Sequence, residues 1–329
     1  QPELLSPASQ QGTHEYDVSP RGKFAQHVFS NYYTNYTAET ITLPDHKGIN
    51  GENLVEGAVA KADKNSSNVE FFKVKTSEGV EMDGWMVKPD NFDQSKKYPV
   101  VFYVYTEPWG QNVKDQFGVE HNFLYRGDMA KDGYIYISID NRGTPAPKGA
   151  AWRKMIYGTV GDLSSKDQDA AIRALAARHS YIDRDRIGIW GWSGGGSNTL
   201  NAMFRFPDTY HVGVSVAPVP DQRLYDTIYQ ERYMGLPQDN AEGYRIGSPI
   251  SFAEGLEGKL LLMHGTGDDN VHAQGTERLV NRLIALGKPF DAMMYPNRTH
   301  AISEGEGTTV HVHRRIARYF LENLPPGPR

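Results

Sequence analysis

The sequence predicts an α/β fold, a mostly parallel eight-stranded sheet with helices on both faces, preceded by a short antiparallel β segment. Three observations predict it. Beyond about residue 69, apolar runs of strand length alternate with stretches of helical periodicity, the pattern of an α/β sheet. The middle runs are continuously apolar, as strands covered on both faces must be. Before residue 57 the texture differs, with short alternating segments separated by turn residues.

The N-terminal segments come first. Residues 15–18 and 24–29 flank the turn Ser19-Pro20-Arg21-Gly22-Lys23, and residues 38–43 follow as a third strand ending at Pro44-Asp45. Together they read as one antiparallel meander with no second copy elsewhere in the chain. Three strands bury little on their own. The Ser-Pro-x-Gly-Lys turn is similar to those inside β-propeller blades, which come in sets. Residues 1–57 are therefore expected to be the remnant of a last blade with its linker, in a chain cut inside that blade. Residues 58–329 are expected to be the α/β domain, entered through a polar connector at 58–68. Strand candidates within it are 69–75, 82–88, 100–105, 134–140, 187–190, 212–216, 260–264 and 290–295. Helical patterns lie between them at 167–178, 276–286 and 311–324, the first with Ala170, Ala171, Ala174 and Leu175 along one side.

Composition narrows the partners. Hydrophobic residues make up 39% and charged residues 23% of 329, enough apolar material for an ordinary core. The net charge of -5 is mild, and no basic stripe is present, so nucleic acid is not an expected partner. No apolar run is long enough to span a bilayer. The absence of cysteine excludes disulfides, thiolate metal sites and a cysteine nucleophile. No cofactor is called for, and no metal site is expected. His311 and His313 sit two apart, where a helix turns them to different faces.

The chemistry centres on Gly191-Trp192-Ser193-Gly194-Gly195, directly after the strand candidate at 187–190 and opening a helical stretch. In a glycine-rich chain, G-x-S-x-G arises by chance roughly 0.2 times, so its strand-to-helix placement carries the argument. That placement marks a nucleophile elbow, where small neighbours leave room for a strained serine. A serine hydroxyl needs a base, and the base needs a carboxylate to orient it. Two later loops follow strand candidates: Gly265-Thr266-Gly267-Asp268-Asp269-Asn270-Val271-His272, and Pro296-Asn297-Arg298-Thr299-His300. Both fall at the carboxyl edge of the sheet, where open α/β sheets bind ligands. Of 11 histidines, His300 alone occupies the loop before the last helix. His264 ends a buried strand and reads as structural, and His272 lies too near the acid. Between Asp268 and Asp269 the spacing favours neither. The eight strands, in this order, fit the α/β-hydrolase sheet.

These motifs, together with Tyr229-Gln230-Glu231-Arg232-Tyr233-Met234-Gly235-Leu236-Pro237, resemble the dipeptidyl peptidase IV-like branch of the prolyl oligopeptidase family of serine peptidases, from about residue 69 to the C-terminus. The resemblance implies Asp268 as the acid. It also implies that Tyr105, in Val104-Tyr105-Thr106-Glu107-Pro108, joins the Gly194 backbone N–H as an oxyanion hole, and that Asn270 holds a substrate carbonyl. Trp192, Val219, Tyr225, Tyr229 and Val271 would line a P1 pocket for proline or alanine. Taken alone, Tyr225 and Tyr229 read as one helix face packed into the core. Two departures stand out: the family's aromatic residue after the nucleophile is Gly194 here, and a pocket tryptophan corresponds to Gln222. Both changes are expected to remove walls from the pocket. The family's amine-binding glutamates belong to blades outside these residues.

The resemblance implies a peptide substrate and favours a periplasmic or secreted setting, and it leaves a homodimer open. The other readings are an esterase or acylaminoacyl peptidase-like hydrolase, and a binding module that keeps the fold without its chemistry.

Overall fold

The computed structural model describes residues 4–105, 107–122 and 128–329, so Thr106 of the Tyr105 segment lies outside the described residues. The chain forms two compact units, residues 1–69 with 114–121, and residues 70–113 with 122–329.

The first unit is built on an antiparallel sheet of β1 (Thr13–Val18), β2 (Phe24–Asn31), β3 (Thr34–Thr42) and the two-residue β4 (Lys47–Gly48), paired in sequence order. Its turns fall at the expected breakers, with Gly22 at positive φ between β1 and β2. The polar connector expected from residue 58 is corrected at its start. Helix α1 (Leu54–Lys61) runs into it and buries Val55 completely. Gly57 at its centre weakens the helical signal, and the one buried apolar side chain is too little to stand out in the sequence.

The second unit contains an eight-stranded sheet. Its strands are β5 (Val69–Lys75), β6 (Glu81–Val87), β7 (Tyr98–Tyr103), β8 (Ile135–Asp140), β9 (Ile182–Trp192), β10 (Val212–Val216), β11 (Lys259–Gly265) and β12 (Asp291–Tyr295). They lie in the order β12-β11-β10-β9-β7-β8-β6-β5. Strands β7 to β12 pair in parallel, and β6 runs antiparallel to β8, the arrangement expected of an α/β-hydrolase. Every residue of β8 and β10 is buried, which explains their unbroken apolar character.

Helix α2 (Gly149–Lys154) is short, and α3 (Asp162–Arg178) buries Ala171, Ile172 and Leu175. Helix α4 (Gly194–Arg205) is buried along nearly its whole length, packed on β9 and β10. Helices α5 (Thr227–Met234), α6 (Ala241–Gly247), α7 (Gln274–Ala285) and α8 (Thr308–Asn323) complete the layers. Among the described residues, no helix is long and apolar enough to cross a membrane. The core joins Phe102, Ile137, Ile189, Leu200 and Leu262 across the sheet and its helices. The parallel strands all end at one edge, and every loop of the candidate site leaves from it.

Candidate active site

The elbow follows from its glycines. Ser193 is held at φ 60° and ψ -124°, a backbone conformation that a side chain rarely adopts. The turn survives because its neighbours are pressed against backbone. A Cβ on Gly195 would land on the Val104 carbonyl oxygen, and one on Gly191 would collide with Gly195 itself. A Cβ on Gly196 would stand 2.6 Å from the Val216 carbonyl oxygen. The Ser193 N–H donates to the Val216 carbonyl at 2.8 Å, anchoring the turn to β10. The hydroxyl therefore projects from the carboxyl edge at the N-terminus of α4.

The loop after β11 carries both candidate aspartates, and burial distinguishes them. Asp269 is exposed, whereas Asp268 is 7% exposed and surrounded by donors. Its Oδ1 accepts the backbone N–H groups of Asn270 (3.0 Å) and Val271 (2.8 Å). Its Oδ2 accepts from His300 Nδ1 at 2.7 Å and from His264 Nε2 at 3.1 Å. Burial opposes ionisation of this carboxyl, but the hydrogen bonds from both histidines outweigh it and hold Asp268 well below the usual carboxylate range. With Nδ1 of His300 donating to that anion, Nε2 is left as the free, basic nitrogen.

His264 has a larger part than its strand-end position suggested. It is fully buried, takes a hydrogen bond at Nδ1 from the Thr276 hydroxyl (2.7 Å), and shares Nε2–H between Asp268 and the Val271 carbonyl (2.8 Å). It thus clamps the acid loop from beneath. The signal was its place four residues before Asp268, across a tight glycine turn.

Tyr105 lies just beyond β7 with its hydroxyl close to the Ser193 side chain. Burial, reinforced by the nearby Glu107 carboxyl, pushes this phenol far above the ordinary tyrosine value, so it stays protonated as a donor. Its ring packs edge-on against Trp109 at 5.2 Å between centroids.

Glu107 is the residue that sequence reasoning missed. Its carboxyl group occupies the space that a side chain on Gly194 would fill, with Oε1 against the position a Cβ would take. Glu107 is 9% exposed, and burial pushes its carboxyl up to about 7. The expectation that Gly194 opens a gap is therefore corrected. The missing side chain is replaced by one from the loop after β7, and the wall changes from aromatic to carboxylic. Gln222 is corrected in the same way. Its side chain is 3% exposed and tied to Gly247 O (3.3 Å) and Gln230 Nε2 (2.5 Å), so it belongs to the scaffold.

The remaining candidates gather around this centre in varying degrees. Trp192 Nε1 donates to the His300 carbonyl at 2.9 Å, linking the elbow to the histidine loop. The Tyr225 hydroxyl donates to Asn270 Oδ1 at 3.0 Å. Tyr225 and Tyr229 do not share a helix: Tyr225 follows the 3-10 turn Gln222–Leu224, while Tyr229 lies on α5, and their rings meet at 5.4 Å. The Tyr229 hydroxyl oxygen is buried without a hydrogen-bond partner among the described residues. Val219 and Val271 are buried at 7% and 3% exposure, and the Val219 N–H donates to Ser197 Oγ at 2.8 Å.

A serine at a strand-to-helix elbow, with an acid and a histidine on the loops after the next strands, defines an α/β-hydrolase of nucleophilic type. The chain belongs to the prolyl oligopeptidase family, whose sequence pattern it matches over residues 120–326. It is 37% identical over 259 residues to human dipeptidyl peptidase 8, covering 78% of this chain and 28% of that protein. The structure is similar to the crystal structure of Porphyromonas gingivalis dipeptidyl peptidase 4, with a TM-score of 0.83 at 35% identity, covering 95% of this chain and 44% of that one. The chain spans under a third of the length of the curated relatives it matches.

Proposed function

We propose that this chain hydrolyses peptide bonds as a serine-type dipeptidyl peptidase, through an acyl-enzyme on Ser193. The observation that carries the reading is the Asp268 carboxylate, saturated by four donors, with His300 Nδ1 at 2.7 Å beside the elbow. His300 Nε2 takes the Ser193 proton as Oγ attacks the scissile carbonyl carbon, and Asp268 stabilises the imidazolium that forms. The tetrahedral oxyanion accepts from the Tyr105 hydroxyl and the Gly194 N–H. On collapse the C–N bond breaks and His300 returns the proton to the departing amine. Water, deprotonated by the same nitrogen, then attacks the ester and frees Ser193.

Trp192, Val219, Tyr225, Tyr229 and Val271 supply the P1 surface, and Asn270 holds a substrate carbonyl. Proline or alanine suits that apolar and aromatic surface. The names of the relatives support release of dipeptides, and residues 1–57 are taken as the end of the propeller that precedes the peptidase domain at 58–329. The test is a panel of dipeptidyl chromogenic amides varied at P1, run beside acyl esters and beside fluorophosphonate labelling. Ser193→Ala is expected to abolish hydrolysis and labelling while leaving the fold intact. Labelling that persists in Ser193→Ala refutes the assignment, and esters turning over far faster than every amide would make the protein an esterase.

A further inference from the structure

The four-stranded sheet of the first unit carries a side-chain cluster with no part in this chemistry. Pleating places His14 and Tyr16 on one face of β1, and the sheet register sets Tyr16 opposite His27 and His27 opposite Glu39. His46 reaches the same spot from the turn after β3, at φ 54°. One ring nitrogen from each of His14, His27 and His46 lies within 4.8 Å of the others. His27 is fully buried, and the rings of His14 and Tyr16 lie nearly parallel to its own, with centroids 5.1 and 4.8 Å away.

The hydrogen bonds around the cluster fix its tautomers. His14 Nε2 lies 2.7 Å from the Gln10 carbonyl oxygen, which only accepts, so Nε2 carries the hydrogen and Nδ1 presents a lone pair. His27 Nδ1 lies 3.0 Å from Glu39 Oε1, so it too is the protonated nitrogen, and Nε2 presents a lone pair. Those two lone pairs face each other at 2.9 Å between His14 Nδ1 and His27 Nε2. Two acceptors at that distance repel unless a cation lies between them. A proton or a metal ion can take that place.

We propose that His14 Nδ1, His27 Nε2 and His46 Nε2 bind a divalent transition metal of the zinc class, with the Tyr16 hydroxyl closing the fourth position. A tetrahedral zinc site with bonds of about 2.05 Å has ligand atoms about 3.3 Å apart. The Tyr16 hydroxyl oxygen lies 3.0 Å from His46 Nε2 and 3.3 Å from His14 Nδ1. With the 2.9 Å His14–His27 edge, three of the six edges of such a cage are close to that size, and the two edges from His46 to His14 and His27 lie within 4.8 Å. The outer contacts are those a zinc site needs: Gln10 and Glu39 orient two of the rings, and Glu39 is itself pinned by the Val55 N–H at 3.1 Å. The buried carboxylate also offsets the charge of the ion. Imidazole ligands suit zinc, copper or nickel, and no hard oxygen cage for calcium or magnesium is present among these residues. The ion would join β1, β2 and the turn after β3, a structural clip on a sheet too small to bury much.

The test uses the full chain, stripped with EDTA and titrated with Zn²⁺ against a chromophoric chelator, and with Co²⁺ followed by visible absorption. One zinc per chain with Kd below ~1 μM, tetrahedral cobalt bands and a raised melting midpoint are expected. Glu39→Gln should weaken binding by roughly 10–100-fold, and His14→Gln, His27→Gln and His46→Gln by more. His179→Gln, which removes a histidine of the other unit, should bind as the parent does. If His27→Gln fails to fold, His46→Gln carries the test, because its side chain hangs from a turn; its fold is checked by circular dichroism. The proposal is overturned if the parent binds no more zinc than folded His46→Gln, or if His179→Gln loses as much. A proton shared between His14 and His27, with no metal uptake, would produce the first of these results.

Discussion

Glu107→Gln tests whether a buried carboxyl has replaced the missing side chain at Gly194. In the folded protein burial raises the Glu107 carboxyl from 4.5 to about 7. Ionising it therefore costs about 3 kcal/mol more in the folded protein than in the unfolded chain. Because the folded-state value is the higher one, the stabilising contribution is complete below pH 4.5 and is lost as the pH rises through about 7. Glutamine keeps the volume against Gly194 and cannot ionise. The parent is thus expected to lose stability relative to Glu107→Gln as the pH rises from 4.5 to about 7 and to level off above it, by up to about 3 kcal/mol in all, read from urea midpoints at each pH. Chemistry should follow the same group. An anion beside the oxyanion hole opposes the developing negative charge, by at most ~4 kcal/mol at contact distance with an effective dielectric constant of ~20. Turnover of the parent should fall above pH 7 relative to the variant, by about 10-fold or more. Identical pH profiles of stability in parent and variant would refute the reasoning, because the carboxyl would then titrate as it does in water.

Three further outcomes are expected. Asp268→Asn should lower kcat by about 10⁴-fold, while Asp269→Asn, whose side chain is exposed, should change it little; equal losses in steady-state kinetics would overturn the assignment of the acid. Tyr105→Phe should lower kcat by roughly 10²–10³-fold with KM nearly unchanged; a rise in KM alone would make Tyr105 a pocket residue. Gly194→Tyr should destabilise the protein by driving a ring into Glu107, and the added change Glu107→Gly should restore much of the loss, so a double-mutant cycle in thermal unfolding that shows plain additivity would mean the two positions do not compete for one space.

The sequence made the sheet legible, because periodicity and continuous apolar runs follow from burial. The strands at 69–75 and 212–216 coincide with β5 and β10, and most others differ by a residue or two. The chief exception is β9, which begins five residues early at Ile182 through a polar stretch, Asp183 to Arg186, held by the Arg186–Asp183 ion pair at 2.7 Å. The elbow was legible because only glycine fits where backbone presses on backbone. The choice of Asp268 over Asp269 was not, since no periodicity governs which way a loop side chain turns. It rests on the Asn270 and Val271 N–H groups, which a sequence does not display. Glu107 was hidden for a different reason: its meaning depends on a glycine far along the chain. The histidine cluster was hidden likewise, its members spread over two strands and a turn, although His14-Glu15-Tyr16 has the spacing that puts two such side chains on one face.

The contact between Gly195 and the Val104 carbonyl oxygen does more than make room for a strained turn. It sets the serine's turn directly against the segment that ends in Tyr105, and the Val104 N–H is bonded in turn to the Trp190 carbonyl at 3.0 Å. The proposed nucleophile and the proposed oxyanion donor are thereby located from one common datum, as two machined features are when both are measured from a single face. Displacements of the surrounding loops are not added to the distance between them. The loop after β10, which carries Val219 and Tyr225, can drift, lengthen or change sequence over generations while the placement of Ser193 against Tyr105 is inherited unaltered.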